Sequence, residues 1–95
     1  MATVEIENVG QPGRTYRVDA AKFAAMREAY LGALPTEGPG LTPAEMLARV
    51  VPRLPAELFP GGATAGWWTK AVQLDLEAKG VAVRAPKGPV RLRRA

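Results

Sequence analysis

The chain contains no cysteine, no histidine and no serine, and each absence closes off a kind of chemistry. Without cysteine there is no disulfide framework and no thiolate nucleophile. Without histidine the commonest general base and a principal zinc ligand are missing. Without serine the hydroxyl nucleophiles reduce to threonine and tyrosine, so no acyl-transfer triad can be assembled. No set of nucleophile, base and orienting group can be written from what remains, and the sequence reads as non-enzymatic, with no cofactor and no metal. Long apolar runs are lacking too. None approaches the roughly 18 residues of a membrane span, and Met1 to Gly10 has neither the basic start nor the apolar core of an export signal. The expected compartment is the cytoplasm, with no membrane partner.

The 95 residues are 47% apolar and 23% charged, which suits one soluble domain with a single core, residues 1–95. Charge is unevenly placed. From Lys79 onward there are six bases (Lys79, Arg84, Lys87, Arg91, Arg93 and Arg94) and no acid, whereas the other seven bases are outnumbered by nine acids. The net +4 therefore divides into a body of −2 and a tail of +6, an asymmetry that suggests a surface for polyanions.

Periodicity sets out the elements. Val4 and Ile6 alternate with Glu5 and Glu7, and Tyr16 and Val18 with Thr15 and Arg17, so residues 4–18 predict a hairpin around Asn8 to Gly13. Pairing Ile6 with Tyr16 places Val4 opposite Val18 and Glu5 opposite Arg17. A three-helix core is expected over 19–80. Asp19 stands as the cap of a first helix carrying Phe23, Met26, Tyr30 and Leu34 until Pro35 stops it. Thr42-Pro43-Ala44-Glu45 has the form of a capping box with proline at the first helical position, and Met46, Leu47, Val50, Val51 and Leu54 follow until Pro52 ends or kinks the second helix. Leu58 and Phe59 pin an irregular passage to the core, and Thr64 is placed to cap a third helix from about 65 to 79. On it Trp68, Val72 and Leu76 form one stripe, Trp67, Ala71, Leu74 and Ala78 a neighbouring one, and Thr69, Lys70, Gln73 and Glu77 a narrow polar strip. Gly80 supplies a left-handed stop. Residues 81–94 predict a second hairpin, with Val83 opposite Val90, Val81 opposite Leu92, and Ala85-Pro86-Lys87-Gly88 as a type I turn. In that register Arg84, Arg91 and Arg93 share the outer face.

This order of helix, turn, helix, longer turn, helix and basic hairpin resembles the winged helix-turn-helix domain, and Leu76-Glu77-Ala78-Lys79-Gly80-Val81 is similar to that family's passage from recognition helix into wing. The string from Gly66 to Gly80, with the Gly13 to Asp19 run, also resembles a family of short bacterial proteins without assigned function. The fold class implied is α+β, a three-helix winged helix-turn-helix with an N-terminal hairpin and a C-terminal hairpin wing. Two features depart from the DNA-binding pattern. The turn from about Pro55 to Thr64 exceeds the three or four residues of a compact unit, and Asp75 and Glu77 lie on the helix that would meet phosphates.

Two functions compete. In the first the chain is a small DNA-binding domain that would serve as a transcriptional regulator. Thr69, Lys70 and Gln73 read base edges from the third helix, and Arg84, Lys87, Arg91, Arg93 and Arg94 grip duplex phosphates. In the second it is a protein-interaction or self-association module. Trp67, Leu58 and Phe59 form an apolar contact, and the arginines are a solvated rim or face an acidic partner. Asp75 and Glu77 flank Leu76 and so diverge on a helix, which denies them a shared carboxylate site. The discriminating observation is whether the cations converge on one free surface or are dispersed and paired.

Overall fold

The computed structural model describes residues 2–95; Met1, where the expected 1–95 unit begins, lies outside the described residues. The elements are β1 (Thr3–Glu7), β2 (Thr15–Asp19), α1 (Ala20–Ala33), α2 (Pro43–Val50), α3 (Ala65–Ala78), β3 (Ala82–Arg84) and β4 (Leu92–Arg94), with 3-10 turns at Val51–Arg53 and Pro60–Gly62. The architecture is α+β, three helices with two antiparallel two-stranded hairpins. No helix among the described residues is long and apolar enough to cross a membrane.

The first hairpin adopts the register that its alternation predicts, with Val4 on Val18, Glu5 on Arg17 and Ile6 on Tyr16. Asp19 closes β2 and starts α1, its carboxylate accepting the Lys22 N–H at 2.8 Å. Phe23, Met26, Ala29, Tyr30 and Ala33 form the buried face of α1, which ends as Leu34 turns extended before Pro35 because proline disfavours helical geometry in the residue preceding it. The capping box is complete: Thr42 N–H donates to Glu45 Oε1 at 2.9 Å and Glu45 N–H donates to Thr42 Oγ1 at 3.2 Å. Pro52 falls where α2 tightens into a 3-10 turn.

Helix α3 departs from expectation at its start. Thr64 stands at the N-cap position but makes no side-chain cap; the residue lies in the left-handed region at φ 61° and its hydroxyl donates backwards to the Ala63 carbonyl at 2.6 Å. At the other end Gly80 has the expected positive φ, 73°. Around α3, Met26, Tyr30, Met46, Val50, Val72, Leu76 and Leu92 are fully enclosed, each such side chain contributing roughly 1.5–3 kcal/mol by leaving water.

The second hairpin also takes a different register. Arg84 opposes Leu92, Val83 opposes Arg93 and Ala82 opposes Arg94, in place of Val83 on Val90 and Val81 on Leu92. The cause lies outside the hairpin. Leu41 and Leu92 exchange two backbone hydrogen bonds, at 2.9 and 2.8 Å, which stitches β4 to the segment before α2. Gly40, at φ 89°, passes so close that a Cβ there would stand 2.6 Å from the Leu92 carbonyl oxygen. Leu92 keeps its expected inward side while β3 shifts against it, and Ala85 N–H bonds the Arg91 carbonyl at 2.9 Å, leaving Pro86 to Val90 as the loop. Because side chains alternate along a strand, Arg84 now lies on the face of Leu92 and Arg93 on the opposite one.

Candidate functional site

The cations of the C-terminal region are largely engaged by the body. Arg84 binds the Glu77 carboxylate through Nε and, at 3.2 Å, through Nη2. That hydrogen bond holds the guanidinium charged, its pKa raised above the ordinary arginine value. Lys79 Nζ meets Asp75 Oδ2 at 2.8 Å, and Arg91 approaches Glu45 at 3.6 Å. Arg94 Nη2 donates to the Leu31 carbonyl at 2.6 Å, in the last turn of α1, where carbonyls lack intrahelical donors.

The strip expected on α3 is mostly internal. Thr69 is 4% exposed and Gln73 0%, a correction to their placing as base-reading side chains. Thr69 faces α1, with its hydroxyl donating to the Ala65 carbonyl at 2.7 Å and 3.7 Å from Met26 Sδ. Gln73 Nε2 donates to Glu77 Oε2 at 3.2 Å. Of the eight residues placed on nucleic acid, Lys70, Lys87 and Arg93 remain exposed with no carboxylate within 4 Å among the described residues. Tyr30, beside this cluster, is fully buried. Desolvation above all, and then the Glu77 charge, raise its phenol far beyond its ordinary pKa, so the hydroxyl stays neutral and out of contact with solvent.

A different surface is open. The end of β1 and the turn after it are tied to α3 by two backbone donors: Glu7 N–H to Asp75 Oδ1 at 2.8 Å and Val9 N–H to the Leu74 carbonyl at 3.3 Å. Asp75, fully buried, thus has one oxygen on the hairpin and the other on Lys79. The tether holds β1 close to the helix, and a groove of about 300 Å³ remains between the hairpin and the outward stripe of α3. Ile6, Tyr16 and Val18 line one wall, Trp67, Ala71 and Leu74 the other, and Arg17 and Lys70 also border it.

Trp67 is 59% exposed, the largest such value among the big apolar side chains. It leans edge-on against Trp68 at 5.1 Å between ring centres, and Trp68 in turn meets Phe59 at 6.4 Å. Trp68 and Phe59 are core residues, and Leu58 is half-buried. Of the expected apolar contact surface, then, Trp67 stands out, Leu58 is partly available and Phe59, at 2% exposure, is withdrawn as the anchor of its loop. The hairpin wall escaped the sequence reading, although its signal was present: two apolar faces, Val4-Ile6-Tyr16-Val18 and Trp67-Ala71-Leu74, each needing cover.

Residues 3–92 match the model of a family of unknown function, DUF6958. The chain belongs to this family. Both walls of the groove fall inside the DUF6958 match, whereas Arg93 and Arg94 lie beyond its end. No curated protein matches the chain, and no solved structure does.

Proposed function

We propose that this DUF6958 chain is a non-enzymatic protein-interaction module on a winged-helix scaffold, with the groove beside Trp67 as its contact surface. The order of elements supports the scaffold, as does the Leu41–Leu92 bridge, which adds one bridging residue to the edge of the wing. The observation that carries the function is Trp67: a large aromatic left mostly in water at the mouth of an apolar groove, the residue type that most often anchors interfaces. Duplex DNA binding by a regulator is the second reading, favoured by the free cations Lys70, Lys87 and Arg93. Three phosphate contacts would give a salt slope of about −2.7.

The two readings separate in one comparison. Under the interaction reading, Trp67→Ala weakens partner binding or self-association by about 2 kcal/mol, while Lys87→Ala combined with Arg93→Ala leaves it intact. Under the DNA reading the wing variant abolishes duplex binding at low salt and Trp67→Ala does not. Undiminished association by Trp67→Ala, measured by sedimentation and by affinity capture, defeats the interaction reading.

A further inference from the structure

Thr64 is, among the described residues, the one non-glycine position in the left-handed region, at φ 61° and ψ 6°. There a Cβ crowds the neighbouring carbonyl, and a β-branched side chain is a marked outlier. The residue stands at the start of α3, where a threonine in extended backbone lends its oxygen to the second or third helical N–H. Thr64 makes no such bond. Its hydroxyl turns back to the Ala63 carbonyl, and no acidic side chain stands in the first turn of the helix. A good capping residue thus occupies the capping position in a strained conformation in which it does not cap.

Two anchors hold it there. Phe59 is buried at the entry to the loop and Ala65 at its exit, and the Phe59 ring meets Trp68 edge-on at 6.4 Å. Between the anchors the chain is pliable: Gly61 and Gly62 already have positive φ, 62° and 76°, and glycine exchanges such torsions for negative ones at little cost. Open space flanks the turn that follows. The groove at Trp67 lies on one side, and on the other a cleft of about 240 Å³ separates Pro43, Ala44 and Leu47 from Gly66 and Thr69. The Thr64 carbonyl accepts the Trp68 N–H at 3.1 Å, and rotation about the φ and ψ of Thr64 redirects the preceding chain while leaving that bond in place. Strain and the missing cap weigh against the observed arrangement, the Phe59–Trp68 closure weighs for it, and such terms are of similar size. We infer that Thr64 is a two-state hinge at the root of α3. In the second arrangement its backbone is extended, its hydroxyl accepts the Trp67 N–H, Gly61 and Gly62 absorb the change, and the first turn of α3 shifts between cleft and groove with Trp67 on it. The Trp67 wall of the groove is thereby adjustable. This goes beyond the interaction reading, since the hinge exists with or without an occupant.

The test is relaxation-dispersion NMR of the full chain, combined with urea unfolding of the wild type and two variants. In the wild type the amides from Gly61 to Trp67 show millisecond exchange with a minor state of about 1%, whose shifts report extended backbone at Thr64. Thr64→Gly removes both the strain and the hydroxyl, so the exchange vanishes and the folding equilibrium constant rises about fivefold. Thr64→Val keeps the β-branch and the strain but cannot accept a hydrogen bond. Its exchange vanishes too, while its folding constant changes by less than about twofold. Flat dispersion across 61–67 in the wild type overturns the hinge. So does a Thr64→Gly chain less stable than the wild type, the result expected of a lost cap. Exchange that survives in Thr64→Val also overturns it, because the second arrangement depends on the hydroxyl.

Discussion

The two hairpins of this chain, one with five-residue strands and one with three-residue strands, are opposite in how their edges and charges are used. The C-terminal one is joined at Leu92 to Leu41, and three of its four arginines, Arg84, Arg91 and Arg94, turn to Glu77, Glu45 and the Leu31 carbonyl. The N-terminal one is tied to α3 through Asp75 and Leu74, and among the described residues β2 has no strand beyond β1 and Arg14 and Arg17 have no carboxylate within 4 Å. The comparison teaches that an excess of charge in sequence is not an excess on the surface. The region with six bases has most of them tied down, whereas the near-neutral N-terminal region retains cations beside an apolar groove.

Breaking the C-terminal side should cost most. Leu92→Ala removes a fully buried side chain from the residue joining β3, β4 and Leu41. It should destabilise the chain by about 3 kcal/mol in urea unfolding, with loss of the C-terminal hairpin. Asp75→Ala attacks the other side. It strips the partner from the Glu7 N–H while Lys79, itself part exposed, turns to water, for a loss of about 2 kcal/mol. Hydrogen exchange should then quicken at Glu7 and Val9 and stay unchanged at Leu41 and Leu92. Equal loosening of both hairpins would show that they are not independent.

Smaller effects sharpen the contrast. Thr42→Ala removes the hydroxyl of the capping box and should cost about 1 kcal/mol. Glu45, which also approaches Arg91, has its pKa lowered from 4.5 first by the Thr42 backbone N–H and then by the Thr42 hydroxyl. A carboxylate with a depressed folded value contributes stability above its unfolded value and loses it as pH falls through the folded one. In acid titrations of stability, Thr42→Ala should therefore show a reduced loss below the ordinary glutamate range. Smallest of all, Trp67→Ala should shift stability by no more than about 0.5 kcal/mol, because the ring is mostly solvated. A large loss there would make Trp67 a core residue and empty the groove of its interest.

Much of the fold was legible because it is local. The N-terminal register follows from strict alternation, the start of α2 from a four-residue cap, and the different fates of Trp67 and Trp68 from their angle on a helix. The inward side of Leu92 was legible, but the register of the C-terminal hairpin was not: β3 meets Leu92 through Arg84 instead of Val81, on a strand also held by Leu41, some fifty positions away. Thr69 and Gln73 were misplaced for a related reason. A polar strip looks solvent-facing until helices close over it, and here Thr69 finds a partner in the α3 backbone and Gln73 in Glu77. Half of the groove could be read, the Trp67 stripe. Its other half needed the Asp75 tether, a contact spanning 68 residues that no periodicity encodes.

The perpendicular indoles, 5.1 Å apart at 82°, give the molecule an optical reporter of its own. One ring is in water and the other in the protein interior, close enough for their excited states to couple. Occupancy of the groove would dry the outer ring, blue-shift its emission and alter the near-ultraviolet dichroism of the pair, so a docking event can be followed without any attached dye.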